Sequence, residues 1–301
     1  MTVVTVDPFD ASDWPQRCRA LERGNILYFP RTPFELTASE REFLLTLRLT
    51  GGRLHKNIAY RPAQDRVSGV DHATTGVETK LREVMRSYSQ RVIHFTGEVL
   101  PPYKNKWRLD YASFRPEEEE GRDLPHKKRN DLLHVDAFPS RPTQGDLILR
   151  VFTNINPQKS RAWVTSEPFE PLARQYAHDA GLGRIAAGSA LDGARRLLKS
   201  AGLPLADRSP YDRFMLGFHD YLKANAAYQE CCAKYPFEFP PDSTWMVFTD
   251  VVPHSVLSGQ YALEQTFIVG RDSLVEPEAA PVAILESLSG KRLAPVRRQV
   301  S

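Results

Sequence analysis

The chain is poor in the features that mark several whole classes of protein. Its three cysteines, Cys18, Cys231 and Cys232, are odd in number and make no C-x-x-C spacing, which argues against a disulfide framework or a thiolate metal knuckle. The formal net charge is only +3, and no basic stripe is interleaved with aromatics, so nucleic acid is set aside as a partner. No apolar run approaches the roughly 18 residues of a membrane span. Residues 1–8 lack the basic-then-apolar pattern of a secretory signal. A reduced protein that stays in the cytoplasm is expected.

What the chain does carry is a change of hydrophobic period. Residues 13–23 read as a short helix and 25–29 as a strand, while 51–77 is polar and resembles an ordered loop. From 79 to 95 the positions Leu81, Val84, Met85, Tyr88 and Val92 recur at helical spacing. Thereafter 107–114, 132–136, 147–155, 162–165, 244–251 and 261–269 are short runs rich in β-branched and aromatic residues. Helical stretches near 169–180, 187–201 and 211–230 separate the fourth of these strands from the fifth. The expected fold is mainly β with helical additions, a double-stranded β-helix (jelly roll) core flanked by α-helices. One domain spans 1–301, with a helical and loop region at 1–100, a helical insert at about 168–240 and a basic tail at 285–301.

The residues with the strongest chemical signal are His134-Val135-Asp136, followed by His254 in the segment Pro253-His254-Ser255-Val256-Leu257-Ser258-Gly259. On a strand, residues two apart share a face at about 6.6 Å, so His134 and Asp136 would converge on one ion while Val135 packs behind them. Two imidazoles and a carboxylate on one side of a metal leave the other side open, as in non-heme Fe(II) oxygenases. Any single histidine reads more simply as a satisfied core or turn residue; the three together favour a metal. His178 and His219 sit in predicted helices without a second ligand one turn on, His94 ends a helix and His126 stands in a basic run. His55 and His72, in the polar loop, are the better candidates for substrate contact.

Strand alternation places Arg150, Phe152 and Asn154 on one face. A guanidinium in an apolar strand needs an anion. That anion is either the distal carboxylate of a 2-oxo diacid or an internal Asp or Glu. The acidic run Glu117 to Glu120 and the basic run His126-Lys127-Lys128-Arg129 flank a loop just before the metal pair. They read first as a solvated hairpin tip and second as a lid.

These residues carry a family resemblance. Ser113-Phe114-Arg115-Pro116, Leu133-His134-Val135-Asp136-Ala137-Phe138-Pro139-Ser140-Arg141-Pro142, Arg150-Val151-Phe152-Thr153-Asn154-Ile155-Asn156-Pro157 and Pro253 to Tyr261 resemble the Kdo 3-hydroxylases. These are Fe(II)/2-oxoglutarate-dependent oxygenases that modify the 3-deoxy-octulosonic acid (Kdo) sugar of lipid A. The resemblance implies that His134, Asp136 and His254 hold Fe(II), with 2-oxoglutarate and O2 as cosubstrates and Kdo-lipid A as acceptor. It also implies a protein that works in the cytoplasm, peripheral to the inner membrane. Many such oxygenases carry an arginine on the strand after the distal histidine, where this chain has Glu264 and Gln265. The clamp for the distal carboxylate is therefore assigned to Arg150, with Arg161 and Arg115 as alternates and Asn154 and Gln265 as further cosubstrate candidates. Arg115, Arg141 and Trp163 are candidates for the sugar, within a cationic rim of Arg108, Arg115, Arg122, Lys127, Lys128, Arg129 and Arg141. A 2-oxoglutarate oxygenase of another substrate, a zinc hydrolase on the same ligands and a glycolipid-binding jelly roll remain as alternatives. The absence of an HExxH motif weighs against the hydrolase.

Overall fold

The computed structural model describes residues 2–7, 11–48, 57–69, 75–188 and 207–296. His55, His72, Arg297, Arg298 and most of the helix expected at 187–201 lie outside the described residues.

Eleven strands among the described residues form two sheets. They are β1 (Val3–Thr5), β2 (Ile26–Phe29), β3 (Ile58–Arg61), β4 (Arg66–Ser68), β5 (Trp107–Arg115), β6 (Leu147–Asn154), β7 (Arg161–Thr165), β8 (Tyr235–Phe239), β9 (Thr244–Phe248), β10 (His254–Ser258) and β11 (Ala262–Val269). The major sheet runs β1-β2-β9-β6-β11-β5-β3-β4 and the minor sheet β10-β7-β8. All pairings are antiparallel except β1 with β2. Side chains of β6 and β7 meet between the sheets, where the Phe152 ring stands edge-on to Trp163 at 4.9 Å. This is the jelly-roll arrangement, two sheets enclosing one apolar core.

The opposite face of the major sheet is covered by helices α1 (Trp14–Glu22) and above all α3 (Thr75–Val99), to which α2 (Ala38–Thr46) is tied by the pair Glu40 and Arg91. Helix α3 buries Leu81, Met85, Tyr88 and Val92, the stripe seen in the sequence. Helices α4 (Phe169–Tyr176), α5 (Leu182–Ala186), α6 (Pro210–Ala224) and α7 (Ala226–Cys231) lie between β7 and β8 in the chain, and α8 (Pro281–Ser289) follows the last strand. The single helix expected at 211–230 breaks at Asn225, whose side chain caps α7 by accepting from the Tyr228 N–H.

Two expectations fail for stateable reasons. The polar segment read as a loop contains the hairpin β3–β4, which widens the major sheet. Its strands are four and three residues long, too short for alternation to be read, and Asp65 supplies the left-handed turn residue at φ 45°. The strand expected at 132–136 is reduced to one bridge, His134 with His254. Its backbone groups find four different partners instead of one ladder. Leu133 is bracketed by the Gln229 side-chain amide at 3.0 and 2.9 Å, and His134 exchanges hydrogen bonds with His254. The Val135 carbonyl accepts from the His219 ring at 2.8 Å, and the Asp136 N–H donates to the Thr249 carbonyl at 2.8 Å. Every one of these groups is satisfied without regular structure.

Candidate metal centre

The backbone bridge between His134 and His254 makes the two histidines cross-strand neighbours, with rings 4.9 Å apart. Asp136 lies two residues on and turns to the same side. The ligand atoms of all three fall within 4.8 Å of one another, so one ion can be shared among them. Each imidazole hydrogen-bonds through Nδ1 to a carbonyl two residues earlier, His134 to Leu132 at 2.7 Å and His254 to Val252 at 2.9 Å. Donation from Nδ1 leaves Nε2 as the lone-pair nitrogen, and the Nε2 atoms lie 3.8 and 4.0 Å from the Asp136 carboxylate. Trp163 stacks on the His254 ring at 5.2 Å, and His219 stands edge-on to His134 at 4.7 Å. Both contacts restrict the imidazole rotamers.

Electrostatics suit a cation. Burial holds both imidazoles below their ordinary pKa, the nearby Asp136 carboxylate opposing it, so they are neutral and free to ligate. Burial alone would raise the Asp136 carboxyl, but Arg150, the two imidazoles and Thr249 hold it well below the usual carboxylate range.

Around the triad lies a cleft that opens to solvent, lined by Arg115, Arg150, Arg161, Phe152, Trp163, Asn130 and Val256 besides the three residues of the triad. Arg150 spends both its terminal nitrogens on carboxylates, Nη2 at 3.0 Å from Asp136 Oδ2 and Nη1 at 3.0 Å from Glu264 Oε1. The internal pairing offered as the alternative in the sequence is the one observed, because β11 places Glu264 beside Phe152 on the same face. Arg115 pairs with Glu264 at 2.5 Å and lies 3.8 Å from Glu119. Arg161 is compensated least. It donates to the Gly259 carbonyl at 2.9 Å and reaches Glu119 only at 3.5 Å. Burial, with repulsion from Arg115, brings its guanidinium down to about 10 against the attraction of Glu119.

Buried donors without a hydrogen-bond partner cluster in this same place: the Nε of Arg115, Arg150 and Arg161, and the indole Nε1 of Trp163. Native proteins leave few such atoms unsatisfied. The oxygens of a small dianion would give these donors acceptors.

Three expected site residues sit elsewhere or do other work. Gln265 faces α3, where it accepts from Ser89 at 2.7 Å and donates to the Asp110 and Thr266 carbonyls, so it does not line the cavity. The one-residue step from Glu264 puts it on the far side of the sheet. Asn154 is consumed by the β6–β7 turn, donating to the Lys159 and Phe239 carbonyls and accepting from the Asn156 N–H. Arg141 lies outside the cavity, next to Asp110. The acidic run is not a solvated tip either, since Glu119 is buried among Arg115, Arg122 and Arg161.

The comparisons with known proteins agree with this geometry. Residues 8–292 match the family of 3-deoxy-D-manno-oct-2-ulosonic acid (Kdo) hydroxylases. The chain belongs to the Kdo hydroxylase family. Among solved structures it is similar to the Kdo hydroxylase KdoO, a non-heme Fe(II) alphaketoglutarate dependent dioxygenase, in complex with alphaketoglutarate and Fe(III). The identity is 33% and the TM-score 0.87, over 99% of this chain and 100% of that one. The apo structure of KdoO gives the same TM-score at 34% identity, over 99% and 100% of the two chains. Its cobalt(II) complex gives 0.86 at 34% over 98% of each. No curated protein matches. Among the described residues, no helix is long and apolar enough to cross a membrane.

Sequence reasoning missed Glu264 and Glu119 as partners of the arginines, and His219, Gln229 and Thr249 as supports of the ligand segment. The last three act across long chain separations through backbone groups. A linear sequence carries no signal for that. The α6 start was legible in Ser209-Pro210-Tyr211-Asp212, a capping box whose Asp212 also accepts from the Thr143 and Gln144 N–H groups just beyond the ligand pair.

Proposed function

We propose that this chain is an Fe(II)/2-oxoglutarate-dependent hydroxylase that places a hydroxyl at C3 of the Kdo sugar of Kdo-lipid A, with His134, Asp136 and His254 as the iron ligands. The observation that carries the reading is the convergence of two neutral imidazoles and an ionised carboxylate beside a cavity rich in guanidinium groups. The bound iron and 2-oxoglutarate supply the oxidising chemistry, in which O2 is consumed, 2-oxoglutarate becomes succinate and CO2, and one oxygen atom enters the sugar C–H.

The protein's part is to hold the reactants. Arg161 and Trp163, two apart on β7, share one face and bring an undercompensated guanidinium and an unpartnered indole N–H to the same cavity. We assign the distal carboxylate of 2-oxoglutarate to these two, with Arg115 behind them. A buried guanidinium binds a carboxylate through charge-assisted bonds that are shorter and stronger than neutral ones. Arg150 instead holds Asp136 in place. The described residues share one apolar core, which supports a single domain. The enzyme acts as a peripheral protein at the cytoplasmic surface of the inner membrane, with the exposed Arg108 and Lys128 facing anionic headgroups. Against a metal hydrolase, the two glutamates beside the triad, Glu264 and Glu119, are both tied to arginines and not free to act as a base.

Anaerobic addition of Fe(II) and 2-oxoglutarate tests the centre. A weak visible charge-transfer band is expected, lost in Asp136→Ala and in His254→Ala. A colourless sample that instead binds Zn(II) and cleaves esters would overturn the reading.

A further inference from the structure

Beyond the metal cavity the site-side face of the major sheet continues across β5 and β3. The pairing of β5 with β11 shifts register there: Ala112 faces Gln265 and Leu109 faces Phe267, so Asp110 and Tyr111 together oppose Thr266. A bulge of this kind turns two consecutive side chains toward one side and commonly re-aims a residue beside an active site. Both point at Arg141. Its guanidinium carbon lies 4.1 Å from the centre of the Tyr111 ring and 4.4 Å from that of Phe138, and its Nε is 2.9 Å from Asp110 Oδ2.

The stack extends in both directions. Arg61, the last residue of β3, sits over Tyr111 at 5.1 Å, and Phe138 lies 5.5 Å from Arg150, which contacts the ligand Asp136. A ladder of alternating guanidinium and aryl groups thus leads from β3 to Asp136. Guanidinium groups held face-on by aromatic rings keep their N–H edges pointing outward, preset for a carboxylate or phosphate. Arg61 has no carboxylate partner among the described residues. The terminal nitrogens of Arg61 and Arg141 are neither hydrogen-bonded there nor sealed in the interior.

We propose that Arg61 and Arg141, presented on Tyr111, form the subsite that takes an anionic group of the acceptor, a sugar carboxylate or a lipid phosphate, and so orients the sugar toward the metal. This rests on the function proposed above. The two arginines come from segments far apart in the chain, and only the bulge at Asp110 and Tyr111 brings them onto one ring.

The test measures binding of Kdo-lipid A micelles to the anaerobic enzyme loaded with Fe(II) and 2-oxoglutarate, by quenching of tryptophan fluorescence. Arg61→Gln is the lead variant because it strands no buried carboxylate; Tyr111→Leu is the second, removing the platform while keeping both charges. Both should weaken binding by roughly tenfold or more, as expected for loss of a preset charge-assisted contact. The visible band of the metal centre should persist. Repeating the measurement with dephosphorylated Kdo-lipid A identifies the group: a penalty that vanishes assigns phosphate, and one that persists assigns the sugar carboxylate. Wild-type affinity in Arg61→Gln with both acceptors overturns the subsite alone. Failure of the wild-type enzyme to bind either acceptor overturns the proposed substrate along with it.

Discussion

Arg150 lies 3.0 Å from the Asp136 carboxylate, so the arginine that stands out in the β6 sequence is bound to one of the proposed metal ligands and not free for a cosubstrate. The same guanidinium touches Glu264, whose carboxyl is brought down to about 2; burial would raise it, and Arg150 and Arg115 outweigh burial. Arg150→Met would leave Asp136 and Glu264 buried with less compensation. Removing one member of a buried ionic group costs about 3–5 kcal/mol. Urea unfolding of the metal-free protein should show a loss of that order. Unchanged stability with a large rise in the KM for 2-oxoglutarate would restore Arg150 as the clamp.

The assignment of Arg161 makes the complementary prediction. Arg161→Met should raise the KM for 2-oxoglutarate by an amount equivalent to about 2–5 kcal/mol. Arg161→Lys should recover part of it, since an ammonium cannot present a planar fork of donors. Trp163→Phe keeps the stack on His254 while deleting the N–H, and its penalty should be smaller. Steady-state kinetics with varied 2-oxoglutarate decides the matter. A larger effect in Arg115→Met than in Arg161→Met would move the clamp to Arg115.

Gly259 tests the same residue without touching its side chain. Its φ of +126° is a conformation that L side chains rarely adopt, and an added Cβ would lie 2.7 Å from Arg161 Cγ and 3.0 Å from Arg161 Cα. Gly259→Ala should displace Arg161 and raise the KM for 2-oxoglutarate, with a stability loss of about 1–3 kcal/mol. Normal kinetics in this variant would mean that Arg161 is not positioned by the turn.

The buried histidines set a pH dependence. His134, His254 and His219 are all held below 6.5 by burial, so the folded protein binds fewer protons at these sites than the unfolded chain does. Stability of the metal-free protein therefore rises with pH through the range just below 6.5 and is flat in this respect above it. Buried Asp250, raised to about 7, works the other way, since it gives up a proton on unfolding in the same range, so the net uptake is at most about two protons and the slope should approach about 3 kcal/mol per pH unit at its steepest. Asp136, held low, adds stability that is lost only in strong acid. Thermal unfolding between pH 5 and pH 8 measures this; a Tm independent of pH across that interval would contradict it.

The legible part of this molecule was its periodic part. The α3 stripe from Leu81 to Val92 and strands β5, β6, β7, β9 and β11 could be read because burial on one face imposes a repeat on the sequence. The three residues that converge, His134, Asp136 and His254, were legible because two stand two apart and the third follows a Val-Val-Pro approach to a strand. Pairings made across the sheets were not legible. Glu264 beside Arg150 and the bulge that turns Asp110 and Tyr111 together depend on register, which a single strand does not encode. The segment 132–136 misled for a related reason: its composition is that of a strand, but its backbone partners include the side chains of Gln229 and His219.

The proposed reaction is the transfer of one oxygen atom from O2 to the sugar. The purified enzyme, given Fe(II), 2-oxoglutarate and Kdo-lipid A under isotopically heavy O2, should yield a product whose Kdo portion has gained a single heavy oxygen at C3, with one succinate formed per sugar modified. Mass spectrometry of the released sugar reads both the count and the origin of the oxygen. An unmodified Kdo in the presence of iron and both cosubstrates, or an oxygen drawn from water, would contradict it.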